Sequence, residues 1–203
     1  MIQSKLYLLR FCTLGVFAAA IAGCSQSAPV AVSKKLVEFN APDGSFAVLY
    51  PDGWAVESNK GPTSAWAKFT SGSAMISVRS DPQASLLDDA RGGRNADNSA
   101  PSPELAPVHD IHAMGLDGAP DDYGSYQETA AGIQELDCPL GPARFSEFTG
   151  SVTLGGDVHG LRATAIGSKR GVHVVCVCAE EDWRKLRGAY KRVIRSIKRG
   201  QEQ

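Results

Sequence analysis

Three hydrophobic patterns follow one another along the chain. An apolar run of twelve residues, positions 11–22, follows Lys5 and Arg10. From Val37 onward, short apolar runs alternate with Gly, Pro and Asp, which predicts strands joined by turns. Near the C-terminus, apolar residues recur at spacings of three and four, as on one side of an amphipathic helix. The patterns therefore predict a leader, a β-rich body and a closing helix.

The body contains two groups of predicted strands with helical segments between them. The strands are expected at residues 37–39, 46–50, from 54, 65–70 and 74–80, and then at 126–136, 143–152, 159–166 and 172–178. Between the groups we expect a short helix at 84–90, an exposed loop, and a helix at 106–114 with Val108 and Ile111 facing inward. The closing helix is predicted over 180–199, and its apolar stripe comprises Trp183, Leu186, Tyr190, Val193, Ile194 and Ile197.

The last predicted strand indicates how the layers are arranged. Residues 172–178 are apolar on both alternating faces, and a strand of that kind is covered on both sides. The expected fold class is therefore α+β, with a mostly antiparallel sheet covered by helices on both faces. At 203 residues, the chain is long enough for one domain of ordinary size.

The N-terminal run has the features of a signal peptide. Its apolar part is too short to cross a bilayer, and it ends in Ile21, Ala22, Gly23 and Cys24. Small residues before a Cys resemble the lipobox of bacterial lipoproteins, with Ile21 where Leu is usual. The resemblance implies cleavage before Cys24, lipidation of its thiol and fatty acylation of the new N-terminus. The alternatives are an ordinary secretory signal with a chance Cys, and a short buried core helix.

The predicted processing divides the chain into four parts. These are a signal peptide at 1–23, a tether at 24–35, one domain at 36–199 and a tail at 200–203. Residues 25–35 have no apolar periodicity and are expected to form an extended linker. The expected location is the extracytoplasmic side of a membrane in a bacterial cell envelope.

Charge excludes one broad class of partner. Lys and Arg number 21 against 22 Asp and Glu, and cleavage before Cys24 leaves 19 basic residues. A nucleic-acid-binding protein usually carries a clear basic excess, so no nucleic-acid partner is expected. The sequence contains no P-loop, no G-x-S-x-G elbow and no other cofactor motif, so neither a cofactor nor an enzymatic activity is predicted.

Two histidines form the weak candidate for metal chemistry. His109 and His112 are three residues apart on a predicted helix, so they can share one side of it. Four carboxylates lie nearby in sequence, at Asp110, Asp117, Asp121 and Asp122. Imidazole and carboxylate groups bind zinc, and a metal-dependent or hydrolytic enzyme is the alternative function. The competing interpretation is two ordinary surface histidines beside an acidic loop.

Three cysteines remain in the processed chain besides Cys24. Cys176 and Cys178 lie two apart on a strand, too far from each other for an unstrained disulfide. Either of them could pair with Cys138 in an oxidising envelope. The alternatives are three reduced core cysteines and, with less support, a metal-binding or catalytic C-x-C.

The closing helix has a strongly basic outer side. Its cations are Arg184, Lys185, Arg187, Lys191, Arg192, Arg195, Lys198 and Arg199. On a tethered domain such a side could contact anionic lipid headgroups or an acidic partner. The alternative is a solvated outer side of a packed helix.

Two segments resemble a known family. EFNAPDGSFAVLYPDGWAVE resembles the start of PsbP-type domains, and AYKRVIRSIKR resembles their closing helix. That family includes the extrinsic PsbP protein of photosystem II, a eukaryotic Ran-binding protein and many bacterial extracytoplasmic proteins. The resemblance implies an α-β-α sandwich over residues 36–199 and an action through binding a larger complex. The sequence thus predicts a lipid-anchored envelope protein that acts as a non-catalytic binding or assembly module, with an unidentified envelope protein as its partner.

Overall fold

A computed structural model describes residues 29–83, 106–117, 123–152 and 156–201. The described part contains ten strands: β1 (Leu36–Asn40), β2 (Ala47–Pro51), β3 (Ala55–Lys60), β4 (Ala65–Ser71), β5 (Ala74–Pro82), β6 (Gly124–Glu128), β7 (Gln134–Cys138), β8 (Gly141–Val152), β9 (Gly156–Ile166) and β10 (Arg170–Ala179). It also contains two helices, α1 (Ala106–Asp117) and α2 (Glu180–Arg195). The short helix predicted at 84–90 lies outside the described residues.

Eight of the strands form one antiparallel sheet. Their order is β3-β4-β5-β10-β9-β8-β6, and β7 also pairs with β8. The remaining two strands, β1 and β2, form a separate antiparallel hairpin. The prediction of a mostly antiparallel sheet is therefore confirmed.

The alternating residues of the central strands give the sheet two faces. The first face carries Leu161, Val174 and Cys176, which belong to the main hydrophobic core. The second face carries Thr164 and Val175, which point the opposite way from their neighbours along β9 and β10.

Helix α2 packs on the first face, as its apolar stripe predicts. Its buried residues are Trp183, Leu186, Ala189, Tyr190, Val193 and Ile194. Three acids occupy its first turn and Arg192 and Arg195 its last, which suits the helix dipole. The helix ends at Arg195, earlier than expected, because the Ser196 hydroxyl donates to the Val193 carbonyl oxygen and accepts from the Leu49 peptide N–H. Lys198 then pairs with Ala47 of β2 in an antiparallel bridge.

Helix α1 packs on the second face and contacts β8 and β9. Val108 and Ile111 are buried against Ile166, as predicted. This cluster is much smaller than the core of the first face, and α1 covers only part of the sheet. The described residues therefore show an antiparallel sheet with two helices, and a complete helical layer on the second face is not among them.

One predicted strand is two strands in the structure. The segment predicted as 126–136 is interrupted by a turn in which the Gly132 peptide N–H donates to the Thr129 carbonyl oxygen. Gly132 has φ of +60°, a conformation that favours glycine. β6 and β7 consequently pair with different parts of β8.

Part of the segment predicted as a tether lies against the domain. The Ala31 peptide N–H donates to Ser71 Oγ at 2.8 Å, and Trp54 Nε1 donates to the Ala31 carbonyl oxygen at 2.9 Å. Val30 packs against the main core, and Lys35 forms an ion pair with Asp52. Residues 29–35 therefore lie against the domain, because an indole N–H and a hydroxyl satisfy backbone groups that a free linker would expose to water. No helix in the described part is long and apolar enough to cross a membrane.

Candidate functional site

Several turns surround a cavity of about 790 Å³ at one end of the sheet. We call it the loop-end cavity. It is lined by the β1–β2 turn at residues 43–45, the end of β3 and the following turn at 60–63, and the β9–β10 turn at 167–170, together with Pro82, Leu140 and Arg199. These segments lie far apart in sequence, and the strand pairing brings the β3–β4 and β9–β10 turns to the same end of the eight-stranded sheet.

The charges lining the loop-end cavity have one predominant sign. Four cations line it, namely Lys60, Lys169, Arg170 and Arg199, against the single carboxylate of Asp43. The whole chain carries a net charge of -1, so this local excess of positive charge is not a property of the composition. A concave site lined by charges of one sign raises the local concentration of the opposite ion.

Arg170 is fixed in the wall of the cavity. Its guanidinium donates to the Thr63 carbonyl oxygen at 2.7 Å and to Asp43 Oδ2 at 3.1 Å. The side chains of Arg170 and Asp43 are each about three-quarters buried. A guanidinium has five N–H donors, so these two contacts leave others for a further acceptor.

Asp43 and Ser45 complete this wall. The Ser45 peptide N–H donates to Asp43 Oδ1 at 3.0 Å. Burial raises the pKa of Asp43, but the contacts with Ser45 and the charge of Arg170 outweigh it, so this pKa lies below its ordinary value. The wall therefore holds an ionised carboxylate that positions Arg170.

These groups together can bind an anion. Ammonium, guanidinium and hydroxyl groups donate hydrogen bonds to carboxylate and phosphate oxygens. The described lining contains neither His nor Cys, and its one carboxylate is already paired with Arg170. The arrangement can therefore hold an anionic ligand.

The structure places the two candidate metal-binding histidines differently from the expectation of a shared surface. His112 is buried under α1, with Nδ1 3.1 Å from Thr164 Oγ1 and Nε2 3.1 Å from Ser146 Oγ. Burial lowers the pKa of His112 to about 3, and the charge of Arg162 acts in the same direction. Both ring nitrogens are thus occupied by hydroxyl groups of the sheet.

No group of three or more metal-ligating side chains was found within the described ranges. His109 is only half-buried on α1. Asp121 and Asp122, and the side chain of Asp117, lie outside the description. The zinc site predicted around His109 and His112 therefore has no additional described ligand to support it.

All three cysteines of the domain are free thiols in the structure. Cys176 is fully buried in the first face, and burial raises its pKa. Burial also raises the pKa of Cys178 to about 12. Cys138 donates to the Gly141 carbonyl oxygen at 3.3 Å. These surroundings fit the expectation of reduced core cysteines, and a disulfide to Cys138 stays a prediction that a thiol count of the unfolded protein would test.

The cations of the closing helix are distributed over several environments. Lys198 pairs with Glu38 at 2.6 Å, and Arg192 donates to the Lys34 carbonyl oxygen. Lys191 lies over the ring of Phe145. Arg184 and Arg195 are exposed.

Arg199 is separate from the other cations of this group, because it follows α2 and lines the loop-end cavity. The predicted basic face thus includes side chains already bound to the domain, and its role in binding lipid or an acidic partner stays a prediction.

Sequence reasoning missed the loop-end cavity. The sequence marked Lys169 and Arg170 only as part of a turn, and it marked Arg199 only as a cation of the closing helix. The basic residues stand in two short turns, as Lys60-Gly61 and Lys169-Arg170, and nothing in the local sequence shows that the two turns face one another. The signal lies in strand order, which brings the β3–β4 and β9–β10 turns to the same end of the sheet.

Comparison with known proteins identifies the fold. No family model and no curated protein matches the chain. The solution structure of cyanobacterial PsbP (CyanoP) from Synechocystis sp. PCC 6803 matches with a TM-score of 0.55 and 16% identity, over 83% of this chain and 94% of that chain. The chain therefore has a PsbP-like fold, and an identity this low shows the fold alone.

Two further solved structures are less similar. LpqN of Mycobacterium tuberculosis, described as involved in cell envelope biogenesis, has a TM-score of 0.44 and 8% identity, over 82% of this chain and 91% of that chain. A Pseudomonas aeruginosa protein of unknown function has a TM-score of 0.41 and 14% identity, over 77% of this chain and 91% of that chain. Neither carries an argument about function.

Proposed function

We propose that this chain is a lipid-anchored protein of a bacterial cell envelope that acts as a non-catalytic binding module through its loop-end cavity. The observation that carries the proposal is the cavity itself, which gathers four cations at one end of a PsbP-like fold. Its lining offers hydrogen-bond donors and a positive charge, and these groups can bind a partner non-covalently without catalysing a reaction. We also propose that the domain is an α-β-α sandwich, with α2 on the first face of the sheet and α1 on the second.

The docked part of the tether supports an anchored role. Only five residues lie between Cys24 and Val30, where the described contacts with the domain begin, and the six steps from Cys24 to Val30 span at most roughly 21 Å when extended. A lipid on Cys24 would therefore hold the domain within a short distance of the membrane surface. The tether contacts Ser71 at one end of β4, whereas Thr63, before the other end, lines the cavity. The cavity is thus at the opposite end of this strand from the tether.

The anchor is tested by replacing the lipidated residue. We expect wild-type protein to incorporate radiolabelled fatty acid and to partition into the detergent phase, and a Cys24→Ala variant to do neither. A Cys138→Ala variant is the matched control, because it removes another thiol and leaves the lipobox intact. Equal partitioning of wild type and Cys24→Ala would remove the anchor from the proposal.

The binding role is tested by site-specific crosslinking in intact cells. A photo-reactive amino acid at Ser168, which is exposed at the cavity, should give a discrete adduct with an envelope component. The same group at Gly188 is the control, because this position is exposed on α2 and has open space around it. Identical adducts from both positions, or none from Ser168, would count against the loop-end cavity as the binding site.

A further inference from the structure

We infer that the loop-end cavity binds a water-soluble oxyanion carrying two or more negative charges, such as a phosphate ester or a polycarboxylate. This inference rests on the proposed function, because it names the ligand class of the same site. It assigns Lys60, Lys169 and Arg170 as the groups that contact the anion.

The lining of the loop-end cavity carries an excess of positive charge. Lys60, Lys169 and Arg170 stand against the single carboxylate of Asp43, which leaves a local excess of two positive charges before Arg199 is counted. Like charges that converge on a concave surface repel one another, and an anion relieves this repulsion. A single carboxylate would neutralise only half of this excess, whereas a ligand with two negative charges would neutralise all of it.

The arrangement of the donor groups in the cavity also favours an anion. Arg170 is already held at two points, by the Thr63 carbonyl oxygen and by Asp43. A guanidinium fixed in this way loses little side-chain freedom when it binds a ligand, and its planar fork matches the oxygen spacing of carboxylate and phosphate. Lys60 and Lys169 have no described ion pair, so their ammonium groups add adaptable donors at the rim.

The volume of the loop-end cavity and its position in the domain restrict the ligand further. A cavity of about 790 Å³ is in the size range of small-molecule sites, and it is larger than one inorganic ion needs. The tether joins the domain near Ser71, at the opposite end of β4 from Thr63. We therefore assign the ligand to the aqueous side of the envelope rather than to the headgroups of the anchoring membrane.

The test is calorimetric titration of the full processed chain in detergent at low salt. The probes are glycerol phosphate, citrate and acetate. We expect the first two to bind with affinities that fall as salt is added, and acetate to bind much more weakly. No heat with glycerol phosphate and citrate, or acetate binding as tightly as citrate, would overturn the assignment.

Substitutions locate the binding. Lys169→Gln and Lys60→Gln should each weaken citrate affinity, by about tenfold for loss of one charge-assisted hydrogen bond. Both side chains project from turns or strand ends, so the thermal midpoint should not change, which separates binding from folding. Arg184→Gln is the control, because it removes one exposed cation from α2 outside the cavity lining. An equal loss in Arg184→Gln would show general electrostatic attraction and would overturn the site.

The source of the anion is tested by reconstitution. The anchored chain is placed in vesicles of neutral lipid, or of neutral lipid mixed with phosphatidylglycerol, and citrate is titrated into both at about 0.15 M salt, where the vesicle charge is screened beyond about 8 Å. We expect equal affinities. Weaker citrate binding in the phosphatidylglycerol vesicles under these conditions would show competition by headgroups and would overturn the water-soluble source. If citrate fails to bind anywhere while Ser168 still crosslinks to a partner, this inference falls and the proposed binding module stands.

Discussion

The two faces of the sheet are built from different chemistry. The first face is a continuous apolar layer, in which Leu161, Val174 and Cys176 are buried beneath α2. The second face beneath α1 contains the buried polar groups of His112, Ser146 and Thr164. Apolar burial is stabilising in proportion to area, whereas a buried polar group is tolerated only when its hydrogen bonds are made. Stability should therefore depend on volume on the first face and on hydrogen bonding and pH on the second.

The largest expected effect comes from the first face. Val174 and Val175 are consecutive in β10 and point to opposite faces, and only Val174 is fully buried. We expect Val174→Ala to lower the free energy of unfolding by about 2.5 kcal/mol, because burial is lost and a cavity remains. Val175→Ala removes the same atoms from a half-buried site and should cost about 1 kcal/mol or less. Urea denaturation of both variants measures the difference, and equal losses would contradict the distinction between the faces.

This pair also shows what the sequence could predict. The alternation of β10 and the stripe of α2 identify the first face, because apolar burial leaves a periodic signal. Ile111 and His112 stand three and four residues after Val108, so helical spacing places all three on one side of α1. That spacing was the available sign that His112 is buried. Its partners Ser146 and Thr164 could not be predicted, because strand order rather than local sequence brings them beneath the helix.

The loop-end cavity was unpredictable for the same reason. Its cations come from turns separated by more than a hundred residues, as Lys60 and Lys169 show. The contacts of residues 29–35 with the domain were not predicted for a different reason. A short polar segment with no periodicity gives no sign of docking, and the docking depends on an indole N–H of Trp54 that is positioned by the finished fold.

The second largest effect should be a loss of stability at mildly acidic pH, arising from the second face. Burial lowers the pKa of His112 to about 3 in the folded protein, whereas an unfolded histidine titrates near its ordinary value of 6.5. As pH falls below 6.5, the unfolded chain gains a proton that the folded protein cannot accept. The free energy of unfolding should then fall by about 1.4 kcal/mol per pH unit, or roughly 2 kcal/mol between pH 6.5 and 5.

The matched variant for this prediction is His112→Gln, which does not titrate. It should be less stable at pH 7, because its amide fits the hydroxyls of Ser146 and Thr164 less well, and its stability should depend less on pH. Some dependence remains in the variant, because burial also lowers the pKa of His173. Denaturation curves at pH 7, 6 and 5 give the comparison. Parallel pH profiles for wild type and variant would show that His112 is not the source.

A smaller effect is expected from a buried phenol of the first face that donates to the sheet. Tyr190 is fully buried in α2, and its hydroxyl donates to the Val177 carbonyl oxygen at 2.8 Å. Tyr190→Phe keeps the ring contacts with Trp54 and Trp183 and leaves that carbonyl oxygen without this donor. We expect a loss of about 1 kcal/mol in the free energy of unfolding, which thermal or urea denaturation would detect. A loss above that of Val174→Ala would mean that polar contacts, and not volume, dominate the first face.

The smallest expected effect tests the edge of the first face, where the tether contacts the domain. Trp54→Phe removes the indole N–H that donates to the Ala31 carbonyl oxygen and retains an aromatic side chain in the core. Global stability should fall by roughly 1 kcal/mol, whereas the peptide N–H of Ala31 should exchange with solvent several-fold faster because local release of residues 29–35 becomes easier. Hydrogen exchange of the N-terminal peptides measures this directly, with peptides from β9 as the internal reference. Unchanged exchange at Ala31 would mean that the hydroxyl of Ser71 and the packing of Val30 hold the tether without Trp54, and the distance between the membrane anchor and the domain would then not depend on the indole.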